Sequence, residues 1–151
     1  MVVRLHREES SMAVCKIKAV FRCDVKKVWD LVTVPEHFAW RSELASVESL
    51  GGRRFKEYTK DGYMNTYSIA VSDPYERWEL NIENSCFSGH WSARFTAMED
   101  GSTLLELEEE VKPTSLLMRI WAKNCLMKKQ AKYMVELQSA LGCPYSICGA
   151  A

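Results

Sequence analysis

A chain of 151 residues with 47% hydrophobic and 26% charged residues is the size and composition of one globular domain with a substantial core. Twenty basic residues balance twenty acidic ones. This formal neutrality argues against a general nucleic-acid binder, which needs a basic surface to displace counterions from phosphate.

Residues 1–11 read as a polar extension without the apolar core of a secretory signal. The domain is expected to span 12–142, with 143–151 as a tail. From Ala13 the pattern alternates: Cys15, Ile17, Ala19 and Phe21 share one face, and Lys16, Lys18 and Arg22 the other, as in a half-buried strand. Asp24 suits the N-cap of a short helix whose Val28, Trp29, Leu31 and Val32 recur at helical spacing. Pro35 opens a second short helix in this reading, through about Ala39.

A run of strands follows. Gly51-Gly52 predicts a tight hairpin, because both residues tolerate positive φ. Tyr63 to Val71, Glu76 to Glu83, Cys86 to Met98 and Ser102 to Lys112 each alternate, separated by turns such as Ser72-Asp73-Pro74 and Glu99-Asp100-Gly101. Short turns at each junction imply an antiparallel meander. Pro113 stops the last strand, and Thr114 or Ser115 caps a helix that runs to about Leu141 and ends at Gly142. The expected fold is therefore α+β: a seven-stranded curved antiparallel sheet around a long C-terminal helix, with two short helices after the first strand. Strands this long twist. One helix cannot fill the hollow of a strongly curved sheet, so a cavity is expected beneath it.

Three local patterns carry a family likeness over roughly residues 12–141: Val28-Trp29 in the first helix, Pro35 with Phe38 and Trp40 in PEHFAWRSEL, and Asp100-Gly101-Ser102-Thr103 before the last strand. With the element order, they resemble the helix-grip superfamily (SRPBCC) that includes START lipid-transfer domains, polyketide cyclases and pollen-allergen-like proteins. The resemblance implies a hydrophobic ligand under the long helix. It brings no catalytic motif that maps onto this chain.

Strand parity nominates the cavity lining: Asn65, Tyr67, Trp78, Leu80, Trp91, Phe95, Leu105 and Leu107 from the sheet, with Asn124 and Met127 looking back from the helix. Glu109 shares the parity of Leu107 and Val111, so it is an acid expected to face inward and the candidate for general acid or base. His90 and Arg94 fall on the opposite, convex face, and His37 near the cavity mouth. His6, His37 and His90 form no ligand spacing, so neither metal nor cofactor is expected. The six cysteines have no C-x-x-C spacing and read as reduced thiols of a cytoplasmic protein, with a Cys143–Cys148 tail disulfide as the alternative.

The function expected is binding of a small hydrophobic molecule. The alternatives are a polyketide cyclase- or dehydratase-like enzyme using acid–base groups in the same cavity, or a chaperone-activator-like interaction module. For the last, the all-basic charge of Lys112–Lys132 and a sheet edge offer surfaces, and a homodimer is one form it would take. No apolar run is long enough for an integral membrane segment.

Overall fold

The structure is a computed structural model that describes residues 12–113, 115–143 and 145–150. The seven strands expected between residues 13 and 113 all form: β1 (Ala13–Phe21), β2 (Leu44–Gly51), β3 (Arg54–Thr59), β4 (Met64–Asp73), β5 (Arg77–Glu83), β6 (Phe87–Ala97) and β7 (Thr103–Pro113). Helix α1 (Val25–Val32) follows β1, and α2 (Leu116–Leu141) follows β7. The chain then returns as β8 (Tyr145–Ala150), which pairs with β1 and adds an eighth strand to the seven read from the sequence. The sheet order is β2-β3-β4-β5-β6-β7-β1-β8, antiparallel throughout.

Three local expectations need correction. Residues 33–43 form turns instead of a second short helix. Pro35 sits in this stretch, but His37 N–H donating to the Val34 carbonyl and Arg41 N–H to Phe38 close isolated turns that do not propagate. At α1, Asp24 takes the N-cap position with extended backbone, yet its carboxylate makes no capping bond; its carbonyl accepts from the Lys27 and Val28 amides instead. The β2–β3 hairpin also shifts by one residue. Gly51 pairs with Arg54, so Gly52 and Arg53 are the central pair, with φ of 58° and 64°. Gly51 at φ 71° sits beside a register shift.

Sequence alternation explains the core. Cys15, Ile17, Ala19 and Phe21 of β1 are buried, as are Leu105, Leu107 and Val111 of β7 beside it. Helix α1 buries Val28, Trp29 and Val32. Trp29 meets Phe95 and Trp78 edge to face, with ring centroids 5.1 and 6.2 Å apart.

Helix α2 packs on β1 and β7. Gln130, 4% exposed, donates through Nε2 to the Cys15 carbonyl at 2.8 Å, and the Cys15 thiol donates to the Lys123 carbonyl at 3.4 Å. Ser115 accepts from the Met118 amide, and Gly142 ends the helix in the left-handed region at φ 66°. Helix α2 makes its main contacts with β1 and β7, and the cavity opens beside it against the inner faces of β3, β4 and β5.

Candidate functional site: the cavity between sheet and helix

The cavity has a volume of about 970 Å³. That is at the upper end of the ~300–1,000 Å³ typical of small-molecule sites. One wall is apolar. Phe55 and Tyr67 stack at 5.1 Å with rings 13° from parallel, and Trp78, Leu80 and Ile82 of β5 continue the surface. Trp91 and Trp40 both contact the Tyr133 ring edge to face, at 5.8 and 5.0 Å. The turn residues Pro35, His37 and Phe38 and the β3–β4 turn residues Lys60 and Asp61 rim the opening.

Polar and charged groups line the rest of the cavity. Arg41, in the turns before β2, donates through one nitrogen to both oxygens of Glu57, at 2.8 and 3.1 Å. Its other terminal nitrogen donates to Glu43, and its guanidinium lies 5.5 Å from the centre of the Tyr133 ring. Glu57 is only 4% exposed. Burial pushes its carboxyl above the ordinary value, and Arg41 pulls it back. Asn65 accepts from the Asn84 side chain at 2.8 Å, while Asn84 accepts from the Cys86 and Phe87 amides and shapes the β5–β6 turn.

Glu109 also faces the cavity, opposite Trp91 on β6 and Cys15 on β1. Burial lifts its carboxyl from 4.5 to about 7; Lys129 and Arg41 oppose the rise, and Glu43 and Glu57 add to it. Among the described residues it makes neither hydrogen bond nor ion pair. Tyr67 and Tyr133 are likewise phenols pushed well above their ordinary value by burial. No fully enclosed side-chain polar atom among the described residues is left without a partner. The Glu109 carboxyl and the phenols therefore reach the cavity space itself.

Of the residues read from sequence parity, Asn65, Tyr67, Trp78, Leu80, Trp91, Leu107 and Glu109 line the cavity. Phe95 and Leu105 point inward but are buried in the core beneath α1, 3% and 0% exposed, away from the cavity. Asn124 and Met127 are corrected: both face solvent, Met127 at 42% exposure. The inward stripe of α2 is Ala122, Leu126, Gln130, Tyr133, Met134 and Leu137; Met134 is on it as expected, while Asn124 and Met127 are rotated off it. His90 lies outside the cavity, with its ring nitrogens 2.8 Å from Asn81 and from Glu79, whose carboxyl is held low by His90 and Arg77. Among the described residues, no cluster of three or more His, Cys, Asp or Glu could hold a metal, and no helix is long and apolar enough to cross a membrane.

The residues read from parity do not include Arg41, Glu57, Lys129 or Tyr133. Glu57 was legible: Phe55, Glu57 and Thr59 share parity on β3, and Phe55 marks that face as inward. Arg41 lies in turns, where no periodicity points to a side chain's direction.

No family model matches the sequence, and no curated protein matches it. Solved structures share its shape. A conserved protein from Geobacillus kaustophilus superposes with a TM-score of 0.73 at 12% identity, covering 87% of this chain and 98% of that one. A START superfamily protein from Mycobacterium smegmatis gives 0.72 at 10% identity, covering 87% and 97%. An HSP90 activator from Plasmodium falciparum gives 0.70 at 13% identity, covering 89% and 99%. The chain has the START-like helix-grip fold, as its element order suggests.

Proposed function

We propose that this protein binds a small, largely apolar molecule that carries a hydrogen-bonding group at one end. The carrying observation is a cavity lined by aromatic and aliphatic side chains from β3, β4 and β5 together with the Arg41–Glu57 pair and a Glu109 carboxyl that has no partner among the described residues. A ligand burying about 300 Å² of apolar surface would gain about 7 kcal/mol before the costs of association. Tyr67, Trp78, Leu80, Trp91 and Leu107 would contact its apolar body. Asn65 and Glu109 would meet its polar group. Since Glu109 titrates near neutrality, it can accept or donate there.

Two measurements test this reading. Native mass spectrometry of freshly purified protein should find a co-purified small molecule. An environment-sensitive apolar dye should bind saturably, weakly to Trp91→Ala, and not at all to Cys125→Trp, whose new ring would occupy the cavity that Cys125 lines. Dye binding unchanged in both folded variants would refute the site.

The enzymatic alternative rests on the same Glu109. A carboxyl with a value of about 7 in a cavity is poised for proton transfer at neutral pH. Its test is Glu109→Gln. Retained turnover of an identified substrate would remove the acid–base role while leaving the binding reading intact.

A further inference from the structure

We propose that Cys23 and Cys143 form a thiol pair that a disulfide oxidant closes into a cystine, fastening the C-terminal end of α2 to the turn between β1 and α1. Their sulfurs are 3.2 Å apart, with the Cys143 thiol donating to Cys23, across 120 residues of sequence. Strand register produces the meeting. In the β1–β8 ladder Val20 opposes Ser146 and Phe21 opposes Tyr145, and two more steps along the same register set Cys23 against Cys143. The left-handed Gly142 turns the chain out of α2 just before it reaches that point.

Both backbones are already held. Thr103 Oγ1 donates to the Cys23 carbonyl at 2.8 Å, and Gln138 Nε2 donates to the Cys143 carbonyl at 3.0 Å. Bond formation therefore asks for about one ångström of sulfur movement, to the ~2.05 Å of a disulfide. Among the described residues this is the cysteine pair in contact: Cys15 bonds to the Lys123 carbonyl, and Cys86 lies beside Ser85.

The chemistry follows from exposure. Cys23 is half-buried and Cys143 buried, so Cys23 meets the oxidant first. Its thiolate attacks one sulfur of oxidised glutathione and expels one glutathione thiolate, which takes up the proton that Cys23 lost. Cys143 then attacks the Cys23 sulfur and expels the second glutathione, which takes up the proton of Cys143. Two protein thiols and one glutathione disulfide become one protein disulfide and two glutathione thiols. Burial, together with the Cys143 contact, pushes the Cys23 thiol up to about 12. Thiolate is scarce at neutral pH, so closure should be slow there and accelerate about tenfold per pH unit.

The test oxidises the folded chain with oxidised glutathione at mildly alkaline pH, alkylates the remaining thiols in acid, and maps the peptides by mass spectrometry. The expected result is a Cys23–Cys143 cross-linked peptide and an intact mass lower by two hydrogens, with no retained glutathione. The urea midpoint should rise, because the closed loop restricts the unfolded chain, and dithiothreitol should return it. Cys23→Ser should lose both the cross-link and the midpoint shift. A map in which Cys23 and Cys143 stay free, keep glutathione, or join other partners such as Cys148 would overturn the proposal. The peptide map of the unaltered chain separates these outcomes whether or not the serine variant folds.

Discussion

Replacing Glu109 with Gln isolates what it costs this fold to carry a charge on the cavity wall. The carboxyl's ordinary value is 4.5, and burial raises it to about 7 in the folded chain. Between those two values the folded chain keeps a proton that the unfolded chain has released. Stability from this group is therefore full below about pH 4.5, falls as pH rises through the interval, and is lost above about pH 7. At about 1.4 kcal/mol per pH unit, the loss amounts to at most about 3.5 kcal/mol. Cavity water reaching the half-buried carboxyl would reduce it. Gln keeps the shape and carries no charge, so it should escape the loss. The assay is urea unfolding of both proteins from about pH 5 to about pH 8, read as the difference between them. Glu109→Gln should gain steadily on the parent chain, by up to about 3 kcal/mol at the alkaline end. Groups remote from Glu109 are common to both and cancel in the difference, while the coupling of Glu109 to Glu57 and Glu43 is part of what the difference reads. Glu79 and Glu136 have lowered values, so their contributions are lost only in acid, below this window. Parallel pH profiles would refute the reasoning, because they would mean that Glu109 ionises as freely in the folded chain as in the unfolded one.

Two further changes probe the scaffold. Arg41→Ala leaves Glu57, 4% exposed, without its cation and should cost about 3–5 kcal/mol by urea unfolding, with part restored by adding Glu57→Gln. Gly89→Ala would put a methyl group 2.5 Å from the Glu110 carbonyl oxygen and 3.1 Å from Val111 Cγ1. Paired backbone cannot yield there, so a loss of about 1–3 kcal/mol and a lowered melting temperature are expected by calorimetry.

The strands were legible because their side-chain period is fixed at two. Once Leu107 and Val111 were assigned inward, Glu109 had to follow, and the structure puts it on the cavity wall. The same logic applied to Phe55 would have found Glu57. The phase of α2 was not legible. Its outer face carries Ile120, Met127 and Val135, exposed at 66%, 42% and 48%, so two apolar stripes compete in the sequence. What decides between them is the docking surface: Gln130 reaches the Cys15 carbonyl only when the Ala122–Leu126–Leu137 face is down. The eighth strand was missed because Gly142 and Pro144 announce a helix end but say nothing of the pairing partner that β1 offers on its free side.

The size of the cavity bears on its contents. Voids left by truncating core side chains cost about 24 cal/mol per Å³. At that rate 970 Å³ of dry void would cost about 23 kcal/mol, more than the ~5–15 kcal/mol that a whole domain holds in reserve. The cavity must therefore be occupied in solution, and its walls favour different occupants. Water satisfies the Arg41, Glu57 and Glu109 side, which offers it several partners. Against Phe55, Trp78, Leu80 and Ile82 it finds few, and leaving that wall returns about 25 cal/mol for each Å² of apolar surface covered instead by a ligand. On the proposed reading, the rings would supply the drive for an apolar body, and the Glu109 carboxyl would select which end of that body points inward.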